Sequence, residues 1–382
     1  MTVFIDLLGF GILIPLLPTF ASKELGVSDF GIGSVVAIFS LMQFIFNPIL
    51  GKLSDRIGRR PVIIVSLIFT AVSYIIFSFA NSFLVLLFSR MLAGLGGSNI
   101  GVAQAYIADI TDQSERSKGM GLIGAAFGLG FVFGPLMGGL LADYGYAVAG
   151  FSAAGFSSLA IIFAFFFLPE SLKDRSKDKK IKLKFFDLAF AWKVLKTPVV
   201  GLLIIIFFII VFSMANIYGT FALLGYKVYH FTDRDNGMLF GILGLVGAIV
   251  QGGLIRSLSK RVKDKTLLFV GTFLMMVGLG LLPYGGNFLG IAIVAGVLAV
   301  GTGILQPTIL SMVSKYSPED QQGGILGLNQ SIASLARVLG PLWGGFSFQY
   351  MGYGSPFLTG AIFTFITLVI IAVYLKSHKL ND

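Results

Sequence analysis

The sequence predicts an all-α membrane protein: twelve transmembrane helices in two pseudo-symmetric six-helix bundles. Three observations predict it. First, the chain is 56% hydrophobic and 12% charged, with a mean hydropathy of +0.90, whereas soluble domains carry roughly 25% charged residues. A water-soluble fold of 382 residues has no interior large enough for so much apolar surface. Second, the apolar residues come in long continuous runs of about 20, the length a helix needs to cross the hydrocarbon core. Membrane β-strands would instead show about 10 alternating residues each. Third, the halves repeat. GPLMGG at Gly134–Gly139 returns as GPLWGG at Gly340–Gly345, and at the same offset of 206 residues Gly121, Leu122 and Tyr144 match Gly327, Leu328 and Tyr350. A parallel repeat of six spans is the trace of two bundles rocking about a central site; a duplication of structure alone is the plainer reading.

Taken in order, the runs are 1–20, 30–51, 61–80, 83–108, 118–142, 147–168, 198–226, 236–257, 266–284, 287–313, 323–349 and 355–375. The first is no signal peptide, because it lacks a basic flank and carries Asp6 inside its apolar run. It is short at its start, as a span with residues preceding Met1 would be. The runs define an N-terminal bundle over 1–168, a linker over 169–197 and a C-terminal bundle over 198–382. The linker, PESLKDRSKDKKIKLKFFDLAFAWKVLKT, is the one long polar break. Its portion from Phe185 to Leu195 is amphipathic, either lying at the membrane interface or simply solvated.

Basic residues set the orientation. With the N-terminus inside, 23 of the 28 Lys and Arg fall on inner segments. Only Lys23, Lys227 and Arg234 fall outside, and Arg90 and Arg337 lie within spans. This bias places both termini in the cytoplasm of a multi-pass cell-membrane protein. The net charge of +10 then forms a collar against anionic lipid headgroups. No basic domain stands apart from the spans, so nucleic acid is not an expected partner.

Composition also narrows the chemistry. There are no cysteines and two histidines, His230 and His378, both in hydrophilic segments. Metal-ligand spacing, a hydrolase triad within the spans and a phosphate-cradling GxxxxGK[ST] loop are all missing. An enzyme, a cofactor and ATP as energy source are therefore not expected.

Dense charge on a short connection sits in GKLSDRIGRRPV, Gly51–Val62, joining spans two and three. Gly51 and Gly58 allow a tight turn and close helix approach. Asp55 can pair with Arg59 at i,i+4 or cap a short helix. The positive-inside rule alone would account for Arg56, Arg59 and Arg60 but not for the spacing of glycines and aspartate. This loop resembles the signature loop of the major facilitator superfamily. The resemblance implies a gate that latches the two halves on the cytoplasmic side when the transporter opens outward. In it Asp55 and Arg59 would join Asp109, at the end of span four in AYIADITD, and Asp55 would meet the N-terminus of span eleven.

Further motifs extend the resemblance over all twelve spans, most sharply over about residues 1–140. GAAFGLGFVFGPLMGG in span five is similar to the antiporter signature of drug–proton exchangers. There Gly124, Gly128, Gly134, Pro135, Gly138 and Gly139 would kink the helix and pack it tightly. SRMLAGLGG, with Arg90 and Gly94, resembles the family's proton-site motif. DLLGFGILIPLLP, with Asp6, resembles the acidic segment of span one. The first half is most similar to the tetracycline-efflux branch. Two positions depart from that branch: Ser73 stands where it carries an acid before a tyrosine, here Tyr74, and span nine, Thr266–Gly285, has no acid.

Asp6 is the one carboxylate well inside a span. Burying it ionised costs several kcal/mol unless it is paired, and an intramembrane acid most often serves a proton relay; a structural tie is the plainer reading. Counting about 1.5 Å per residue, Arg90 lies within side-chain reach in depth and is the expected partner. Arg337, in span eleven, has no evident acid. It either snorkels, bonds backbone carbonyls or meets an anionic part of the substrate. With Asp6 protonated the interior holds two positive charges, which argues against a dicationic substrate. Gln43, Asn99, Gln104, Asn216, Tyr218, Gln251, Gln306, Asn329 and Gln330 are the uncharged polar residues in spans. Each either lines a cavity or bonds a neighbouring helix.

The expectation is a monomeric, proton-coupled secondary transporter that exports an amphipathic small molecule by alternating access. An exporter of an anionic or lipid-like metabolite and a proton–solute symporter are the alternatives; the glycine motif of span five favours antiport.

Overall fold

The computed structural model describes residues 1–112, 115–172, 188–318 and 321–377. Among them no strand occurs and every regular element is helical. In lipid a backbone N–H or C=O has no water to bond, so each crossing must satisfy its own ladder, and a helix does so. The first span is α1 (Thr2–Lys23), followed by α2 (Asp29–Ile57) and α3 (Arg59–Ser78). Span four is broken: α4 (Phe83–Gly96) passes through a 3₁₀ turn at Gly97–Asn99 into α5 (Ile100–Ile110). Spans five and six are α6 (Arg116–Ala142) and α7 (Tyr146–Phe167). A short helix, α8 (Leu188–Leu195), covers the described end of the amphipathic linker segment; 185–187 lie outside the described residues. Then come α9 (Pro198–Val228), α10 (Asp233–Ile249), a π-turn at Val250–Leu254, and α11 (Ile255–Leu258). The last are α12 (Asp264–Leu281), α13 (Phe288–Tyr316), α14 (Gln322–Tyr350) and α15 (Ser355–Ser377).

Eleven spans are long and apolar enough to cross a membrane by length and composition. The remaining predicted span, the eleventh, is α14, which is 29 residues long but diluted by Asn329, Gln330, Ser331, Ser334 and Arg337. Helix starts follow local chemistry. Ser28 Oγ accepts the Gly31 N–H at 3.2 Å, Asn287 Oδ1 accepts that of Gly290 at 2.9 Å, and Pro198 opens α9 where its missing N–H costs nothing.

The chain divides into two compact units: Met1–Phe185 with Thr232–Gly241, and Phe186–Phe231 with Ile242–Asp382. In the first, α1 packs on α6 and α7, and α3 packs on α4 and α7. In the second, α9 packs on α14 and α15, and α12 packs on α13 and α15. The pairings of spans one with five, three with four and three with six thus recur in each unit. Small residues make them close. The buried face of α7 is Ala149, Gly150, Ala153, Ala154, Ser157, Ala160 and Ala164.

The same device recurs at the repeated glycine motif. A Cβ on Gly134 would come 2.5 Å from the Cα of Gly11, and one on Gly138 would overlap the Ile12 carbonyl. A Cβ on Gly340 would lie 2.8 Å from Ala215 Cβ, and one on Gly344 would overlap the Asn216 carbonyl. The internal sequence repeat is thus a repeated backbone contact between the first and fifth spans of each unit.

Candidate functional site

The α2–α3 junction differs from the expected turn. Helix α2 continues to Ile57, so Gly51 lies inside it and Gly58 alone makes the turn, at φ 111°. Ser54 is fully enclosed; its hydroxyl donates to the Gly51 carbonyl at 2.7 Å and accepts from Arg59 Nη1 at 2.6 Å. The same guanidinium pairs with Asp55 at 2.6 Å, one turn back, and through Nε with Asp109 on α5 at 3.1 Å. Arg59 is buried, which its three partners make tolerable. Arg60 donates to the Phe165 carbonyl at 2.5 Å and lies 5.7 Å over the Phe165 ring. Arg56 lies on the last turn of α2.

Two members of this cluster were not among the sequence candidates. Glu170 Oε1 accepts the backbone N–H groups of Arg59, Ser171 and Leu172 at 2.9, 3.0 and 3.1 Å. It thereby caps the start of α3, where the helix dipole favours an anion. Ser171 Oγ donates to Asp109 Oδ2 at 3.0 Å. Gly58 is required twice over, since a Cβ there would also overlap the Glu170 carboxylate. The available sequence signal was the position of Glu170 at the start of the linker, in PES, ahead of its basic run.

The second cluster surrounds Asp6. Its carboxylate accepts from Asn99 Nδ2 at 3.4 Å and Ser157 Oγ at 3.3 Å. The 3₁₀ turn of span four is what presents Asn99, and such a turn often marks a functional hinge. A cavity of ≈ 210 Å³ within the first unit reaches Asp6 and Asn99, walled by Leu67, Tyr106 and Phe163 among others. The expected ion pair with Arg90 is not made. Arg90 is 3% exposed, and its guanidinium lies 5.8 Å from the Tyr74 ring and 5.4 Å from the Phe77 ring. The guanidinium thus lies against aromatic rings rather than against the carboxylate. Residue counting gives depth along a helix and not direction around its axis. Arg90 Nε reaches Ser89 Oγ at 3.4 Å, while Nη2 is buried without a hydrogen-bond partner.

The span-five glycines divide by position. Gly134 and Gly138 face α1, and Gly139 meets the backbone of Asp233 and Arg234; Gly124 has open space, and Gly128 is half-buried. Pro135 lies inside one continuous α6. The polar candidates divide too. Asn216 and Asn329 are fully enclosed rather than facing open space, and Asn216 Nδ2 donates to the Pro356 carbonyl at 2.5 Å. Gln43 bonds the Gly97 carbonyl at 3.1 Å. Gln104, Gln251, Gln306 and Gln330 are exposed, Gln251 within the π-turn. Tyr218 is 36% exposed. Arg337 is half-buried and donates from Nη2 to Ser334 Oγ at 2.8 Å.

A sequence profile of the Major Facilitator Superfamily matches residues 1–295 and 252–381. The chain is 30% identical over 386 residues to "Multidrug resistance protein 2" of Bacillus subtilis (strain 168), covering 100% of this chain and 94% of that one. It is 30% identical over 345 residues to "Tetracycline resistance protein, class C" of Escherichia coli, covering 89% and 86%. The crystal structure of the human organic anion transporter MFSD10 (TETRAN) superposes with a TM-score of 0.72 at 24% identity, covering 97% of each chain.

Proposed function

This chain belongs to the Major Facilitator Superfamily, a multi-pass membrane transporter rather than an enzyme, and we propose that it exports amphipathic small molecules in exchange for protons. The observation that carries the proposal is Asp6. Its carboxylate lies in a membrane helix and is held by two neutral donors, Asn99 and Ser157, not by a cation. An acid held this way takes up a proton without stranding a counter-ion, and an intramembrane acid most often serves a proton path. The carboxylate borders a cavity of ≈ 210 Å³ that Asn99 also lines. Arg90, buried against the Tyr74 and Phe77 rings, is the second charged member of the proton site.

The cluster of Arg59, Asp55, Asp109 and Glu170 serves as the cytoplasmic gate, and both termini face the cytoplasm. Gly134 and Gly138 let α6 lie against the backbone of α1, so a change at Asp6 is passed to the fifth span by direct contact. The relatives named for multidrug and tetracycline resistance support export of amphipathic compounds.

The test is transport by the full chain in proteoliposomes under an imposed pH gradient, with fluorescent amphiphiles of negative, zero and positive charge. At least one should accumulate against its gradient and move protons in the opposite direction. Accumulation with protons moving in the same direction would establish symport instead. Indifference to the gradient for every compound would refute proton coupling.

A further inference from the structure

Helix α14 is the membrane helix that falls short in apolarity, and the cause is a stripe on one face. Gln330, Ser334 and Arg337 stand at i, i+4 and i+7, the spacing that aligns side chains along a helix. Arg337 lies 13 residues before the end of α14 at Tyr350 and 15 after its start at Gln322. At about 1.5 Å per residue, either end is roughly 20 Å away, well beyond the reach of an arginine side chain. Snorkelling to the interface is therefore closed to it.

Among the described residues its own unit offers no carboxylate to neutralise it. Over 186–231 and 242–382 the carboxylates are Asp187, Asp264, Glu319, Asp320 and Asp382, of which Asp264, in the first turn of α12, is the one among the described residues. Asp264 pairs with Lys315 at 2.5 Å. Among the described residues the side-chain hydrogen bond of Arg337 is to Ser334 Oγ. Its remaining donors are not among the buried unpartnered atoms, unlike Nη2 of Arg90, and the residue as a whole is partly exposed. Tyr218 lies on α9, the helix that packs against α14, and it too is partly exposed. The two intramembrane arginines thus differ. Arg90 is sealed under aromatic rings, whereas Arg337 is partly exposed on the helix that packs against the helix of Tyr218.

We infer that Arg337, with Tyr218 and Ser334, forms the anchoring site for the negative group of an amphipathic organic monoanion, a carboxylate or sulfonate on an apolar body. The fork gives such a group two parallel N–H donors, and the Tyr218 hydroxyl supplies a third. The surrounding apolar helices take the remainder of the molecule. Neutral Gln330, two turns away, suits a polar substituent rather than a second charge. This rests on the transport reading above and narrows its substrate class.

The test uses three probes that share a naphthalene body: 2-naphthalenesulfonate, 2-naphthalenesulfonamide and naphthylmethyl-trimethylammonium. Binding to the full chain is measured in lipid nanodiscs and transport in proteoliposomes under a pH gradient. The sulfonate should bind at least about tenfold more tightly than the ammonium. Arg337→Gln should weaken the sulfonate by about 10- to 100-fold and remove the preference. Arg337→Lys, which keeps the charge and loses the fork, should fall between. Tyr218→Phe should weaken the sulfonate severalfold, and it carries the test should Arg337→Gln fail to fold. An ammonium that binds and moves better than the sulfonate, or sulfonate affinity unchanged in Arg337→Gln and Tyr218→Phe, overturns the site while leaving the transporter intact. Arg337-dependent sulfonate binding with no probe transported sinks the transport reading while the anion site stands. Absence of both binding and transport for all three probes refutes the two together.

Discussion

Replacing Gly58 with alanine tests the α2–α3 junction in two separable ways. The residue sits at φ 111°, a region that costs a side-chain-bearing residue about 1–3 kcal/mol. Its new Cβ would also overlap the carboxylate of Glu170. That carboxylate accepts the Arg59 N–H at 2.9 Å and closes the first turn of α3. Displacing it forfeits a hydrogen bond to a charged group, about 1.5–3 kcal/mol. Gly58→Ala should therefore cost about 3–6 kcal/mol in the intact protein. In a Glu170→Ala background the collision is gone and only the backbone term of about 1–3 kcal/mol remains. The double variant should then be more stable than the sum of the single changes predicts, by about 1.5–3 kcal/mol. Unfolding of the purified protein by SDS in mixed micelles, followed by tryptophan fluorescence, supplies the four free energies. Additivity within about 0.5 kcal/mol would refute the claim that the Glu170 carboxylate is what Gly58 makes room for.

Asp6→Asn should abolish substrate accumulation against a gradient while leaving downhill exchange in place. Substrate-driven proton movement in proteoliposomes at the wild-type ratio would move the coupling site elsewhere. Arg59→Ala removes the shared partner of Asp55, Ser54 and Asp109. Because the chain has no native cysteine, single cysteines near the α2–α3 junction can report the gate, and their labelling from the cytoplasmic side should rise severalfold. Labelling and transport both at wild-type levels would rule out a gating role. Gly138→Ala, facing the Ile12 carbonyl, should destabilise by about 1–3 kcal/mol. Gly124→Ala, with nothing within 4 Å, should be neutral or slightly stabilising; equal melting temperatures for the two would contradict the packing. Reporter tags at Ser176 and Asp382 should read as cytoplasmic and one at Arg234 as external, and an external Ser176 would break the orientation.

The crossings, the repeat and the short list of intramembrane charges were legible in the sequence because each follows from solvent chemistry. Lipid demands about 20 apolar residues per helix, and a charge placed there stands out against them. That Asp6, Arg90 and Arg337 lie at depth needs only counting along a helix axis. What they touch needs the angle around that axis, and packing sets that angle. The tertiary structure therefore decided that Arg90 lies against the Tyr74 and Phe77 rings rather than on Asp6, and that Asn99 reaches the acid through a 3₁₀ turn which periodicity does not reveal. It also decided that Asn216 and Asn329 are enclosed rather than lining open space. Glu170 lies 111 residues from the Arg59 N–H it caps, in a stretch whose composition reads as linker. The same limit applies to the glycines. A spacing of four marks Gly134 and Gly138 as one face of a helix, but only the neighbouring backbone of α1 shows why no side chain fits there, because steric exclusion belongs to a pair of helices and not to either one alone.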